Sequence, residues 1–126
     1  MREILFRGKR VDNGEWVYGS YVYQYGCHEI LLESCEGEFG FDHYHVNPET
    51  VGQYIGLKDK NGVAIFEGDI VRIESKTFEM IGRVGFEQGC FQLIDPECDM
   101  YECFWYQPEE MIVLGNIYEN PELLKG

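Results

Sequence analysis

Apolar and polar positions in this chain tend to alternate with a period of two, and helical periodicity is nearly absent. The first apolar run, REILFRGKR, and the second, EWVYGSYVYQY, flank Asp12-Asn13-Gly14. An Asn-Gly step supplies the positive φ that tight hairpins need, so these runs are expected to pair. Trp16, Tyr18, Tyr21, Tyr23 and Tyr25 suit a pleated surface better than a helix. HEILLES, after Gly26, reads as a third strand. The mixed-polarity segment from Cys35 to Glu49, containing Asn47-Pro48, is expected to be a loop.

The most regular stretch is QYIGLKDKNGVAIFEGDIVRI, Gln53 to Ile73. Val51 to Leu57 predicts a strand, Lys58 to Gly62 a turn, and Val63 to Phe66 a return strand. Glu67-Gly68-Asp69 makes a second corner, with Gly56, Gly62, Gly68 and Asp69 as structural turn residues and Val71 and Ile73 as core. Ile70 to Glu74 and Glu79 to Glu87 predict a hairpin around Ser75-Lys76-Thr77. Met80, Gly82, Val84 and Phe86 should share one face; Glu79, Ile81, Arg83 and Gly85 should share the other. Gln88-Gly89 turns the chain into CFQLID, which Asp95-Pro96 ends. Residues 99–106 read as an aromatic strand or loop, and Met111 to Tyr118 as a last strand. Asn120-Pro121 then predicts one short C-terminal helix, Pro121 to Leu124, with Asn120 as N-cap.

Many short strands joined by glycine corners predict a mainly-β chain folded as a small antiparallel barrel or roll. The bent strand containing Gly82 and Gly85 matches the tight curl of an SH3-like barrel in the C-terminal part. With 126 residues, one domain is expected: an N-terminal β-rich lobe over 1–50 and the barrel over 51–126.

Charge narrows the functional classes. The chain has 10 basic and 23 acidic residues. Between Val11 and Leu57 lie eight acids and no Lys or Arg; between Gly85 and Leu124 lie nine acids and again none. Such a chain repels phosphate polymers at long range, so nucleic acid is not the expected partner. A local exception is Lys58, Lys60, Arg72, Lys76 and Arg83, the candidate contacts should the barrel read nucleic acid. Glu74 and Glu79 interrupt that set, which reads more simply as a balanced solvent face. No apolar run approaches 18 residues and no signal peptide opens the chain, so a soluble, cytoplasmic protein without membrane contact is expected.

The sequence offers few of the residue patterns that catalytic or metal chemistry requires. The five cysteines, Cys27, Cys35, Cys90, Cys98 and Cys103, include no CxxC, and their spacing does not favour a structural zinc site. Cys27 and His28 are adjacent, which on a strand sends them to opposite faces, so a Cys/His nucleophile is not expected. His43 and His45 would share a face and begin a metal site whose third ligand the sequence does not assign. Asp95, Glu97, Asp99 and Glu102 lack the glycine and spacing of a calcium loop. There is no GxSxG elbow, P-loop or GxGxxG. No catalytic, cofactor-binding or metal residue is therefore assigned, and no enzyme activity is expected.

Three blocks, MREILFRGKR, QYIGLKDKNGVAIFEGDIVRI and VLGNIYENPELL, resemble in order and spacing the signature blocks of the YopX family of bacteriophage and prophage proteins. The resemblance implies a small phage-encoded protein with a mostly-β, SH3-like barrel in its C-terminal part. It carries over no catalytic residue. The expected function is an accessory, non-enzymatic protein-interaction module that meets a host or phage protein. The alternative is a nucleic-acid-binding SH3-like domain. Aromatic residues beyond what a small barrel encloses, namely Trp16, Tyr21, Tyr23, Tyr101, Phe104 and Trp105, are candidate interface positions in a homo-oligomer.

Overall fold

The computed structural model describes residues 3–33, 41–95, 100–103 and 107–124, the side chains of Glu33, Phe41 and residues 100–103 excepted. The chain divides into two units, Met1–Tyr54 and Ile55–Gly126.

The first unit is an antiparallel meander of β1 (Phe6–Lys9), β2 (Trp16–Gln24), β3 (Cys27–Glu33) and β4 (Phe41–His45), ordered β4-β3-β2-β1. The start of β5 (Gly52–Lys58) lies beside β1, with Gln53 opposite Phe6. The β1–β2 corner falls at Asp12-Asn13-Gly14 as expected, and the Arg10 guanidinium grips Asp12 with two bonds of 2.6 and 2.9 Å. Tyr25-Gly26 joins β2 to β3 with both φ values positive, the backbone of a two-residue hairpin turn. Part of the segment expected to be a loop is strand β4, followed by a 3-10 turn over Pro48–Thr50. Asp42, His43 and His45 hide β4 from a polarity reading; pairing with β3, Tyr44 opposite Ile30, selects the strand. The meander curls on itself: Arg10 and Val46 form an antiparallel bridge, and the Asn47 N–H donates to Lys9 O at 2.9 Å. Ile30 and Val46 are buried.

The second unit takes over the end of β5, which pairs with β6 (Ala64–Phe66). Its larger sheet comprises β7 (Asp69–Glu74), β8 (Glu79–Glu87), β9 (Cys90–Asp95), β10 (Met100–Cys103) and β11 (Met111–Asn116), all antiparallel. The order is β10-β9-β8-β7-β11. Among the described residues the expected closed barrel is not formed, because the ladders of edge strands β10 and β11 end at β9 and β7. The predicted β7–β8 and β8–β9 hairpins are present, the latter through Gln88-Gly89.

Alternation builds the core. Val71, Ile73, Met80, Val84, Leu93 and Met111 cluster with Ile65, and Phe78 and Val113 pack at the margin. Val71 and Ile73 are fully buried; each such side chain contributes about 1.5–3 kcal/mol of hydrophobic stabilisation. Phe86 keeps the face of Val84 in an unbroken register but lies beyond the core, where it is exposed and meets Phe91 edge-on at 5.0 Å. Gly82 has to be glycine, since a Cβ there would stand 2.6 Å from Ile94 O. In β11 the register slips between Val113 and Gly115, leaving Leu114 exposed.

The C-terminal element occupies the expected residues, Pro121–Leu124, but as a single 3-10 turn. The Asn120 side chain accepts the Asn116 N–H at 3.3 Å, back toward β11, where an N-cap would have bonded forward. Among the described residues no helix is long and apolar enough to cross a membrane.

Candidate functional site

A groove of about 660 Å³ in the second unit lies between the β7–β8 hairpin tip and a 3-10 turn, Pro108–Glu110. Glu74, Ser75, Lys76, Thr77, Gln107, Glu109 and Glu110 line it. The hairpin tip is drawn tight by the Ser75 N–H, which donates to Phe78 O at 2.8 Å. The opposite wall is set by Pro108, which starts the turn, and by the Gln107 N–H, which donates to Glu110 Oε1 at 3.2 Å. A smaller recess of about 200 Å³ shares Glu74, Glu109 and Glu110 and adds Lys60. Three carboxylates thus face two lysines across one concave surface, and Glu109 has no hydrogen-bond or ion-pair partner among the described residues. Glu74 is only loosely engaged: Arg72 Nη2 is 3.7 Å from it and 2.8 Å from Glu79. The lining supplies carboxylates, hydroxyls, an amide and ammonium groups.

The basic residues differ in exposure and engagement. Lys58, Lys60 and Lys76 are exposed, whereas Arg72 is engaged by Glu79 and Arg83 is half-buried. Arg83 Nη1 lies 2.9 Å from where a Cβ on Gly85 would stand, so this guanidinium is folded back along the sheet. Of the expected turn residues, Gly56, Gly62 and Gly68 all have positive φ, and buried Asp69 accepts the Phe66 N–H at 2.8 Å.

The aromatic set is divided by the pleat of β2. Tyr21 and Tyr23 stand opposite Ile30 and His28, where the Tyr21 hydroxyl and His28 Nδ1 share a hydrogen bond. Trp16 projects from the other face, with the Arg7 guanidinium 4.6 Å from its ring centre. Tyr23 is exposed, while Trp16 and Tyr21 are half-buried. The Tyr101 side chain, Phe104 and Trp105 lie outside the described residues.

A polar cluster in the first unit was only partly foreseen. Glu29 on β3 stands opposite His45 on β4, with His43 diagonal to it. Glu29 Oε2 is 3.7 Å from His45 Nε2 and 3.8 Å from His43 Nδ1. Sequence reasoning paired the two histidines but missed Glu29, whose proximity comes from the β3–β4 register. As the side chains stand, no three His, Cys, Asp or Glu residues among those described are drawn up around a metal position. Cys27 and Cys90 are half-buried thiols. Cys35, Cys98, Glu97, Asp99 and the Cys103 and Glu102 side chains lie outside the described residues.

Comparison with known proteins agrees with the fold. Over its whole length the chain is similar to the crystal structure of protein EF1440 from Enterococcus faecalis. The TM-score is 0.55 at 21% identity, covering 98% of this chain and 99% of that one. No curated protein sequence matches. The family model for YopX protein matches residues 5–125. The chain therefore belongs to the YopX family.

Proposed function

We propose that this chain is a phage- or prophage-encoded accessory protein of the bacterial cytoplasm, a non-enzymatic interaction module whose groove receives a cationic segment of a host or phage protein. The observation that carries the reading is the convergence of Glu74, Glu109 and Glu110 on one concave surface. We read the five-stranded sheet as an SH3-like roll. Four strands meander, the fifth returns beside the first, and a 3-10 turn precedes that last strand. Function rests on the groove, since fold alone does not assign it.

Exposed charge pairs contribute only about 0.2–1 kcal/mol each, so a groove of this kind binds weakly and with strong salt dependence. The test is fluorescence anisotropy of a labelled Lys/Arg-rich peptide and of a labelled DNA duplex against the full chain. The peptide is expected to bind near the millimolar range, about −4 kcal/mol, more weakly in salt and in Glu74→Gln/Glu109→Gln. The duplex is expected to stay free. Peptide binding indifferent to both substitutions would overturn the groove reading. Tight, salt-sensitive duplex binding would instead favour the nucleic-acid alternative.

A further inference from the structure

We propose that Glu29, His43 and His45 form a binding site for a divalent transition-metal ion of the zinc type. The two imidazoles and the carboxylate converge from neighbouring strands, and both nitrogens address the same oxygen, Glu29 Oε2. The other oxygen, Oε1, accepts the Gln24 amide at 3.4 Å. Gln24 thereby orients the carboxylate as the outer residues of metal sites do.

Two features point to a cation here. Glu29 is buried, with a side chain 11% exposed, yet no Lys or Arg among the described residues pairs with it. A carboxylate taken out of water without a positive partner is costly, and a bound cation would offset that cost. The second feature is the accessibility of the other two donors: the His43 and His45 side chains are 48% and 59% exposed. A tetrahedral ion with bonds of about 2.0–2.1 Å separates its donors by about 3.3 Å, against 3.7 and 3.8 Å from Glu29 Oε2 to the two imidazole nitrogens, so the side chains must draw together to bind it. Two nitrogens and one oxygen select zinc and its neighbours over magnesium or calcium, which take oxygen ligands. The exposed side of the imidazoles leaves the remaining coordination positions to water or to a group brought by a partner.

The test is isothermal titration of the full chain with zinc chloride, with magnesium chloride as comparison. One zinc per chain is expected, with no magnesium heat. Binding should weaken by at least about tenfold in His43→Ala, His45→Ala and Glu29→Gln, since each removes one of three ligands. Cys27→Ser should bind as the parent does. Circular dichroism checks that each variant folds; should Glu29→Gln fail, the exposed histidine variants decide. No zinc heat, unchanged binding in the double histidine variant, or loss of binding on Cys27→Ser alone would overturn the site.

Discussion

One carboxylate oxygen of Asp59 accepts the backbone N–H of Val113 at 2.9 Å, across 54 positions of sequence. Its other oxygen accepts the N–H groups of Asn61 and Val63 at 2.8 and 2.9 Å. A residue that the sequence presents as one member of a polar turn thus ties the β5–β6 corner to β11, and it is 3% exposed. Replacing it with alanine should leave three N–H groups without their acceptor and cost about 2–4 kcal/mol. Urea denaturation measures this; an unchanged midpoint would refute the assignment.

The same residue sets a pH dependence. Burial opposes ionisation of Asp59, but the N–H groups of Val113, Val63 and Asn61 outweigh it and hold the carboxyl below its ordinary range. A lowered folded value means that the ionised form is favoured in the native state. Its contribution is complete above the unfolded value of about 3.9 and is lost as pH falls through the folded value. The parent should therefore lose stability below about pH 4 more steeply than Asp59→Asn, as acid titration monitored by circular dichroism would reveal. Parallel curves would remove Asp59 from the account.

Gly68 is held at φ +90°, and a Cβ there would stand 2.9 Å from Tyr118 Cε2. Gly68→Val should cost about 1–3 kcal/mol from backbone strain alone, and more from the ring. Adding Tyr118→Ala should recover the steric part and leave the strain, so the double variant should be more stable than the sum of the single losses implies. Melting temperatures of the four proteins close the cycle. Strict additivity would show that the ring does not crowd this position.

Self-association is expected from the exposed aromatics. Tyr23 and Tyr25 are 63% and 96% exposed at one end of the β2–β3 hairpin, and tyrosine is enriched where proteins meet. A two-fold dimer is the simplest closed assembly. Sedimentation velocity at tens of micromolar should give a dimer that Tyr23→Ser/Tyr25→Ser weakens. A monomer at that concentration would defeat the expectation.

Much of the fold was legible because its signals are local. Asp12-Asn13-Gly14 and Gln88-Gly89 mark hairpins within a few residues, and the period-two pattern around Val71, Met80 and Val84 identifies the core face. What escaped depends on distant partners. Strand β4 is polar along its own length and is identified by β3 beside it. Asn120 has the chemistry of an N-cap, yet its side chain bonds to Asn116, a choice that propensity cannot make. The groove combines Glu74 with Glu109, and the polar cluster combines Glu29 with His43, each from different strands or turns. Sequence alternation gives the face of each strand, but only the pairing tells which faces meet.

Strand β5, Gly52–Lys58, begins in one unit and ends in the other, so their boundary falls within a strand. Up to Tyr54 its partners are on β1, where the Tyr54 N–H donates to Leu5 O at 2.8 Å; beyond that point it runs beside β6. A cut at residue 54 would leave each fragment with a severed strand and dangling backbone donors and acceptors. Proteases need several residues of pliable, extended chain and attack such a ladder poorly. Digestion is therefore expected to nick elsewhere first, and expression of either half is best attempted with residues 52–58 kept whole.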